Sequence, residues 1–260
     1  LLAEKSQLEI ISTFPSPIAT ANGLISDDEK ELGCMIIDFG GSTTSYSVFT
    51  KNYLREIGVI PLGAKTITND IRELNLTEPQ AEKLKQKLGN AMATLEVPDK
   101  RIIIAKAAHE QEEKSIQSTF LAQIIEARAS EILNFIITPL KQKGYIKQLG
   151  AGIIITGGGA QLKNMRALVQ SLSGVDVRTT VGVHLLTEDS ISDDFKKPSY
   201  SQIIGLLSMG TENCVSETIE EKFIPSKKTK KTGKNLFVRF ADSASQRLTD
   251  LFTDNSDTIQ

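Results

Sequence analysis

Asp38-Phe39-Gly40-Gly41-Ser42-Thr43-Thr44 and Ile153-Ile154-Ile155-Thr156-Gly157-Gly158-Gly159-Ala160 are the two stretches on which the reading of this chain turns. The first sets a carboxylate at the end of an apolar strand, followed by a turn whose glycines let successive backbone N–H groups face an anion. Asp38 is then a candidate magnesium ligand, acting through water, because magnesium keeps much of its hydration shell and prefers carboxylates. A tight strand-to-strand turn without ligand uses the same residues. The second stretch is a buried strand feeding a triple-glycine turn, with a helix expected to begin near Gln161. Bare backbone there can approach a planar base or a phosphate, or simply close a tight connection.

Outward from the first turn, Cys34 to Asp38, Thr44 to Phe49 and Tyr53 to Pro61 read as a three-strand meander, separated by Gly40-Gly41 and Lys51-Asn52. Upstream, Leu8 to Asn22 reads as a strand broken by Pro15 and Pro17, followed by a polar connection from Ile25 to Leu32. Downstream, Thr77 and Gln80 form a capping box for a helix over Glu78 to Leu88 that Gly89 ends, with Ala81, Leu84 and Leu88 as its buried line. Glu82 and Lys85 share an adjacent face. A carboxylate there suits ribose hydroxyls, and an exposed helical ion pair is the plainer alternative. Ile102 to Ala105 reads as a strand, and Ser115 to Lys143 as a long helix that Pro139 should kink or end. Ala151 to Thr156 is a buried strand, Ala160 to Leu172 a helix, and Tyr200 to Met209 an apolar helix. Strand, glycine turn and helix recur, which defines an α/β chain.

The long helix carries two stripes. Leu121, Ile125, Ala129, Ile132 and Ile136 follow a core line, while Phe120, Ile124, Arg128, Glu131 and Phe135 form another roughly 100° away. The second stripe is either a protein-binding face or a second packed face bearing an intrahelical ion pair. Beyond Thr211 the composition turns polar, with a lysine-rich linker from Ser226 to Lys234. From Asn235 to Asp254, Phe237, Phe240, Ala241, Ala244, Leu248, Leu251 and Phe252 fall within an arc of about 120° on a helix, which marks an amphipathic segment. Lys227, Lys228, Lys230, Lys231 and Lys234 upstream add up to about 5 kcal/mol of attraction to an anionic leaflet. A groove on another protein is the competing docking site for such a helix.

The 260 residues hold 30 Lys+Arg against 32 Asp+Glu, for a net charge of -2, which argues against nucleic acid as the main partner. The two cysteines form no zinc or disulfide pattern, His109 and His184 stand alone, and no apolar run reaches the roughly 18 residues of a membrane span. The chain begins at Leu1, so an upstream half is expected.

The order of these motifs resembles the actin, Hsp70 and sugar-kinase superfamily, and within it the FtsA family of bacterial cell-division proteins. The resemblance rests on Glu29-Lys30-Glu31-Leu32-Gly33, Val59-Ile60-Pro61-Leu62-Gly63, Ile67-Thr68-Asn69-Asp70-Ile71, Ala81-Glu82-Lys83-Leu84-Lys85, Ile124-Ile125-Glu126-Ala127-Arg128 and Ile203-Ile204-Gly205-Leu206-Leu207, besides the two glycine loops. It implies an actin-like, ribonuclease H-like ATPase fold, comprising the second-half subdomains with a C-terminal tail. Residues 33–73 and 151–210 would form the base subdomain, 74–150 a smaller inserted one, 211–234 a linker and 235–260 an anchoring helix and tail. It implies ATP and Mg2+ at Asp38, Gly40, Gly41, Ser42, Thr43, Thr44, Glu82, Lys85, Gly157, Gly158, Gly159 and Ala160. It further implies self-association into filaments, the FtsZ C-terminal tail at Arg128 and Glu131, and an anionic inner-membrane surface at Phe237, Phe240, Leu248, Leu251 and Phe252, on the cytoplasmic face at the division site. Ser42 stands where the family loop usually has a third glycine and Ser45 where an aspartate is common, so at most weak ATPase activity is expected, and none from this half alone. The competing functions are a small-metabolite kinase of the same superfamily and another actin-like scaffold, such as a pilus-assembly or cell-shape protein.

Overall fold

The computed structural model describes residues 5–7, 10, 12–95, 98–104, 114–180 and 193–210. Its centre is a mixed five-strand sheet in the order β3-β2-β1-β6-β7, built from β1 (Cys34–Phe39), β2 (Thr44–Thr50), β3 (Tyr53–Ile60), β6 (Ile153–Thr156) and β7 (Val177–Thr179). The first three pair antiparallel, as the meander predicts, while β6 lies parallel to both β1 and β7. A strand covered on both faces can be apolar throughout, and Cys-Met-Ile-Ile-Asp-Phe is buried at every position but Asp38.

Alternation along β1 divides the core into two layers. Met35, Ile37 and Phe39 point to one face with Val48, Ile153 and Ile155. Onto it pack α3 (Ala64–Arg72), α4 (Glu78–Leu88), α5 (Ser118–Gln142) and α6 (Met165–Ser173). Cys34 and Ile36 point the other way with Phe49 and Ile154, beneath Ala21 and Leu24 of α1 (Ser16–Leu24). Over α1 crosses α7 (Ser201–Ser208), and a Cβ on Gly23 would lie 2.8 Å from the Gly205 Cα, so the two backbones touch. The mixed α/β fold expected from the sequence is present.

Several elements differ from the sequence reading. The segment read as a strand before Asn22 is helical from Ser16, because Pro17 sits in the first turn, where its fixed φ favours a helix. The polar connection is itself a helix, α2 (Asp27–Leu32), with a capping box in which the Ser26 N–H donates to Glu29 Oε2 at 2.9 Å. Helix α3 lies where the sequence pattern marks no element, and its buried Ala64, Ile67, Thr68 and Ile71 follow the helical period. The start of the expected long helix is a strand, β5 (Lys114–Gln117), paired with β4 (Arg101–Ile104), and α5 runs past Pro139 to Gln142, with that proline at an exposed position. The core line of α5, Leu121 to Ile136, is buried as expected.

Candidate nucleotide cleft

Parallel β1 and β6 bring Asp38 and Thr156 to the same level, so both glycine loops leave the carboxyl ends of neighbouring strands. That is where open α/β sheets present ligand crevices. A cleft of about 310 Å³ opens there, lined by Asp38, Gly40, Gly41 and Thr43 from the first loop and Gly157 and Gly158 from the second. Ser16, Ser45, Ser199 and Gln202 complete the lining. Ser16 and Gln202 come from the first turns of α1 and α7, too far from the loops in sequence for any spacing to announce them.

The first loop is held from beneath. Gly40 N–H donates to Thr43 O at 3.0 Å, closing the turn, and buried Thr44 donates its hydroxyl to Leu62 O at 2.8 Å. The first amides of α3 then hold the carbonyls of the turn, with Ala64 N–H on Gly40 O at 2.9 Å and Lys65 N–H on Gly41 O at 2.8 Å. A Cβ on Gly63 would lie 2.6 Å from Gly41 O, so only glycine lets the two backbones meet. Ser42 and Thr43 stand exposed at the tip, while Thr44 is structural.

The second loop differs in form from its expectation. Gly159 to Gln161 is a single 3-10 turn, and α6 begins only at Met165 after Asn164 in the left-handed region at φ 61. The delay has a cause: Asn164 Nδ2 donates to Asn90 Oδ1 at 2.9 Å and Ala91 N–H to Lys163 O at 2.8 Å, tying the segment to the end of α4. No α-helix N-terminus therefore points from this loop. Thr156 Oγ1 sits 3.0 Å from Pro198 O and 2.6 Å from Ser201 Oγ, and Gln161 Nε2 donates to Ser199 Oγ at 3.0 Å, which fixes Ser199 on the cleft.

Two kinds of glycine line the site. Gly157 has φ +89 and its Cβ would lie 2.6 Å from Phe39 O, so packing alone demands glycine there. Gly159 and Gly40 are similarly confined, by Phe39 and by Thr43 O at 2.8 Å. Gly41 and Gly158 are not: a Cβ on Gly41 meets nothing within 4 Å, and one on Gly158 meets only Ser199 Oγ at 3.8 Å. Side chains at these two positions would occupy open space where the cleft is lined, the shape expected of a cradle for a group that must approach the backbone. The residues therefore fit a nucleotide phosphate. Asp38 accepts a 3.4 Å hydrogen bond from Thr20 Oγ1, and burial pushes its carboxyl pKa up despite that bond. A half-buried carboxylate with no cation partner among the described residues is suited to a magnesium aqua ion.

Glu82 and Lys85 lie outside the residues lining the cleft. Lys85 is buried, in place of the expected Leu88, which is exposed. Its ammonium donates to Ala64 O at 2.9 Å, Thr68 Oγ1 at 2.7 Å and Glu82 Oε2 at 2.7 Å, three acceptors that explain why a charge outcompetes a leucine for this site. Burial raises the Glu82 pKa, yet hydrogen bonds from Lys85, Thr68 and Gln86 hold it below the usual value. Because Ala64 also carries the Gly40 carbonyl on its N–H, Lys85 braces the first loop through α3. Arg128 makes a side-on pair with Asp70 of α3, Nε to Oδ2 at 2.5 Å and Nη2 to Oδ1 at 2.9 Å, and Nη1 reaches Glu131 Oε2 at 2.5 Å. Asp70 is thus part of an interhelical ion pair that raises the Arg128 pKa. The tail carrying Phe237, Phe240, Leu248, Leu251 and Phe252 lies outside the described residues, as do His109 and His184.

The fold and cleft define the chain as part of an actin-like ATPase-fold protein. Among solved structures it is similar to MreB5 of Spiroplasma citri bound to ADP, with a TM-score of 0.63 at 18% identity over 85% of this chain and 64% of that one. It is also similar to the PilM–PilN type IV pilus biogenesis complex, at 0.59 and 16% over 81% and 56%. The family model for cell division protein FtsA matches residues 35–205, and the chain belongs to that family. It is 30% identical over 218 residues to the cell division protein FtsA of Escherichia coli K12, covering 81% of this chain and 51% of that protein. For Bacillus subtilis FtsA the identity is 31% over 211 residues, covering 81% and 46%. The chain spans about half the length of the relatives it matches.

Proposed function

We propose that the whole protein is an ATP-binding cytoskeletal adaptor of bacterial division that polymerises and ties the FtsZ ring to the inner membrane, and that this chain supplies one wall of its nucleotide cleft. The observation that carries the reading is the meeting of two glycine loops around half-buried Asp38, with Gly41 and Gly158 leaving open room at the lining. Asp38 would hold Mg2+, the backbone of Gly40 to Thr43 would bind the phosphates, and Gly157 to Ala160 would take the adenosine. Bound magnesium and nucleotide supply the charge and group on which any hydrolysis depends; the chain's own residues bind and orient. Residues 74–150 form an inserted subdomain in this reading. Arg128 and Glu131 receive the FtsZ C-terminal tail, and residues 235–254 anchor the assembly on the cytoplasmic face at the division site. A full-length fluorescent fusion tests the whole reading: it gathers at midcell and polymerises with Mg-ATP, whereas a diffuse fusion that binds no adenine nucleotide contradicts it.

A further inference from the structure

Among the described residues, buried polar side chains are hydrogen-bonded with two exceptions, and both lie on β2. Thr20, Thr44, Thr156 and Ser201 each have a partner. Ser45, 6% exposed, and Ser47, fully buried, make no side-chain hydrogen bond to any described residue. The register sets Ser45 opposite Asp38 and Ser47 opposite Ile36, so the two hydroxyls share one face of the sheet. Their surroundings differ: Ser47 Oγ is sealed from solvent, whereas Ser45 lines the cleft beside Asp38. A Cβ on Gly157 would lie 2.4 Å from Asp38 Oδ1, so that carboxylate stands between Ser45 and the second loop.

We infer that Ser45 is a positioning residue for the cation of this cleft, its hydroxyl accepting a hydrogen bond from the water shell of a magnesium ion drawn to Asp38. This rests on the reading of the cleft as a magnesium-nucleotide site and adds a residue to it. A buried hydroxyl without a partner is costly, so one that opens onto a cleft points to what the cleft holds. The loop has no use for it, because Gly40 and Thr43 close the turn and Thr44 holds it from beneath. Charge chooses the occupant. A phosphate oxygen here would meet the carboxylate of Asp38 across the strand pair, whereas a hydrated divalent cation is attracted to it. Magnesium keeps several of its waters, and their hydrogens point away from the ion, so the shell needs acceptors. A serine hydroxyl offers two lone pairs without adding charge, and Asp38 remains the one charged residue among those lining the cleft.

Calorimetric titration of the full-length protein with ATP, in graded magnesium and in EDTA, tests this, with a thermal melt of each ligand-free variant. Ser45→Ala should bind Mg-ATP about three- to tenfold more weakly, the loss of one hydrogen bond, while its affinity for ATP in EDTA stays within about twofold of wild type. Ser45→Cys, which keeps the shape but is a weak acceptor, should follow the alanine variant. Ser47→Ala is the control on the same strand face: removing a sealed, unpartnered hydroxyl should leave both affinities within about twofold and lower no melting temperature. Equal losses with and without magnesium would put the Ser45 hydroxyl on the nucleotide itself, and no loss would leave it a bystander; either overturns the inference while the nucleotide cleft stands. A Ser45→Ala protein that melts well below wild type would make the hydroxyl structural and overturn it as well. Wild-type protein that binds ATP under neither condition would end the cleft reading and this inference with it.

Discussion

Gly41→Ala and Gly158→Ala separate a glycine kept for a ligand from one kept for the fold. Gly158 has φ -62 and ψ -39, helical values that alanine adopts without strain, and its added Cβ meets only Ser199 Oγ at 3.8 Å. Gly41 lies outside the left-handed region and its Cβ meets nothing within 4 Å. Replacing glycine at such positions restricts the unfolded chain, so each variant should be unchanged or stabilised by about 0.4–1 kcal/mol. Each methyl nevertheless enters the room a phosphate or base needs, and a tenfold loss of nucleotide affinity corresponds to about 1.4 kcal/mol. Gly157→Ala is the control: at φ +89, with Phe39 O 2.6 Å from the new Cβ, it should lose stability by about 2 kcal/mol or more. Thermal melts and calorimetric titration with Mg-ATP, both on full-length protein, read the two effects separately. Alanine variants at 41 and 158 that melt early, or that bind nucleotide as well as wild type, would refute the distinction.

Asp38 has a raised folded pKa, so its contribution to stability is present below the ordinary carboxylate value of 3.8 and is lost as pH rises through the folded pKa. Asp38→Asn should therefore melt higher than wild type near neutral pH and lose magnesium-dependent nucleotide binding, and wild-type affinity should fall on acidification from neutrality; a destabilised variant would contradict this. Lys85→Met leaves the Ala64 carbonyl and Glu82 without their ammonium donor, at a cost of about 1–3 kcal/mol, and hydrogen exchange should quicken at the Ala64 and Lys65 amides that hold the first loop. Co-sedimentation of the full-length protein with anionic liposomes should fall with salt and vanish in Phe237→Asp with Phe240→Asp, and protein that never pellets would dismiss the anchor.

Much of the sheet was legible because β1 is a short apolar run and β2 and β3 are rich in β-branched and aromatic residues, punctuated by Gly40-Gly41 and Lys51-Asn52, where local chemistry and tertiary role agree. Helix α1 was misread because Pro15 and Pro17 punctuate a strand end and a helix start equally well, and only packing beneath α7 decides between them. Leu88 yielded its buried place to Lys85 because three oxygens on α3 and α4 await an ammonium, a long-range arrangement no helical wheel contains. For the same reason the loops of the cleft were visible as motifs, whereas Ser16, Ser199 and Gln202 became lining residues only when two distant helices were laid over the sheet. The partner of Arg128 in sequence was Glu131, three residues on; Asp70, 58 residues away, required the structure.

Hydrogen exchange of the full-length protein, compared without ligand, with ATP and EDTA, and with Mg-ATP, tests the cleft most directly. If the two glycine loops and Asp38 form one binding wall, the amides of residues 38–45 and of 157–160 gain protection together, most strongly with Mg-ATP and much less with ATP and EDTA. Nucleotide binding that leaves both loops exchanging as fast as in the free protein would contradict the account.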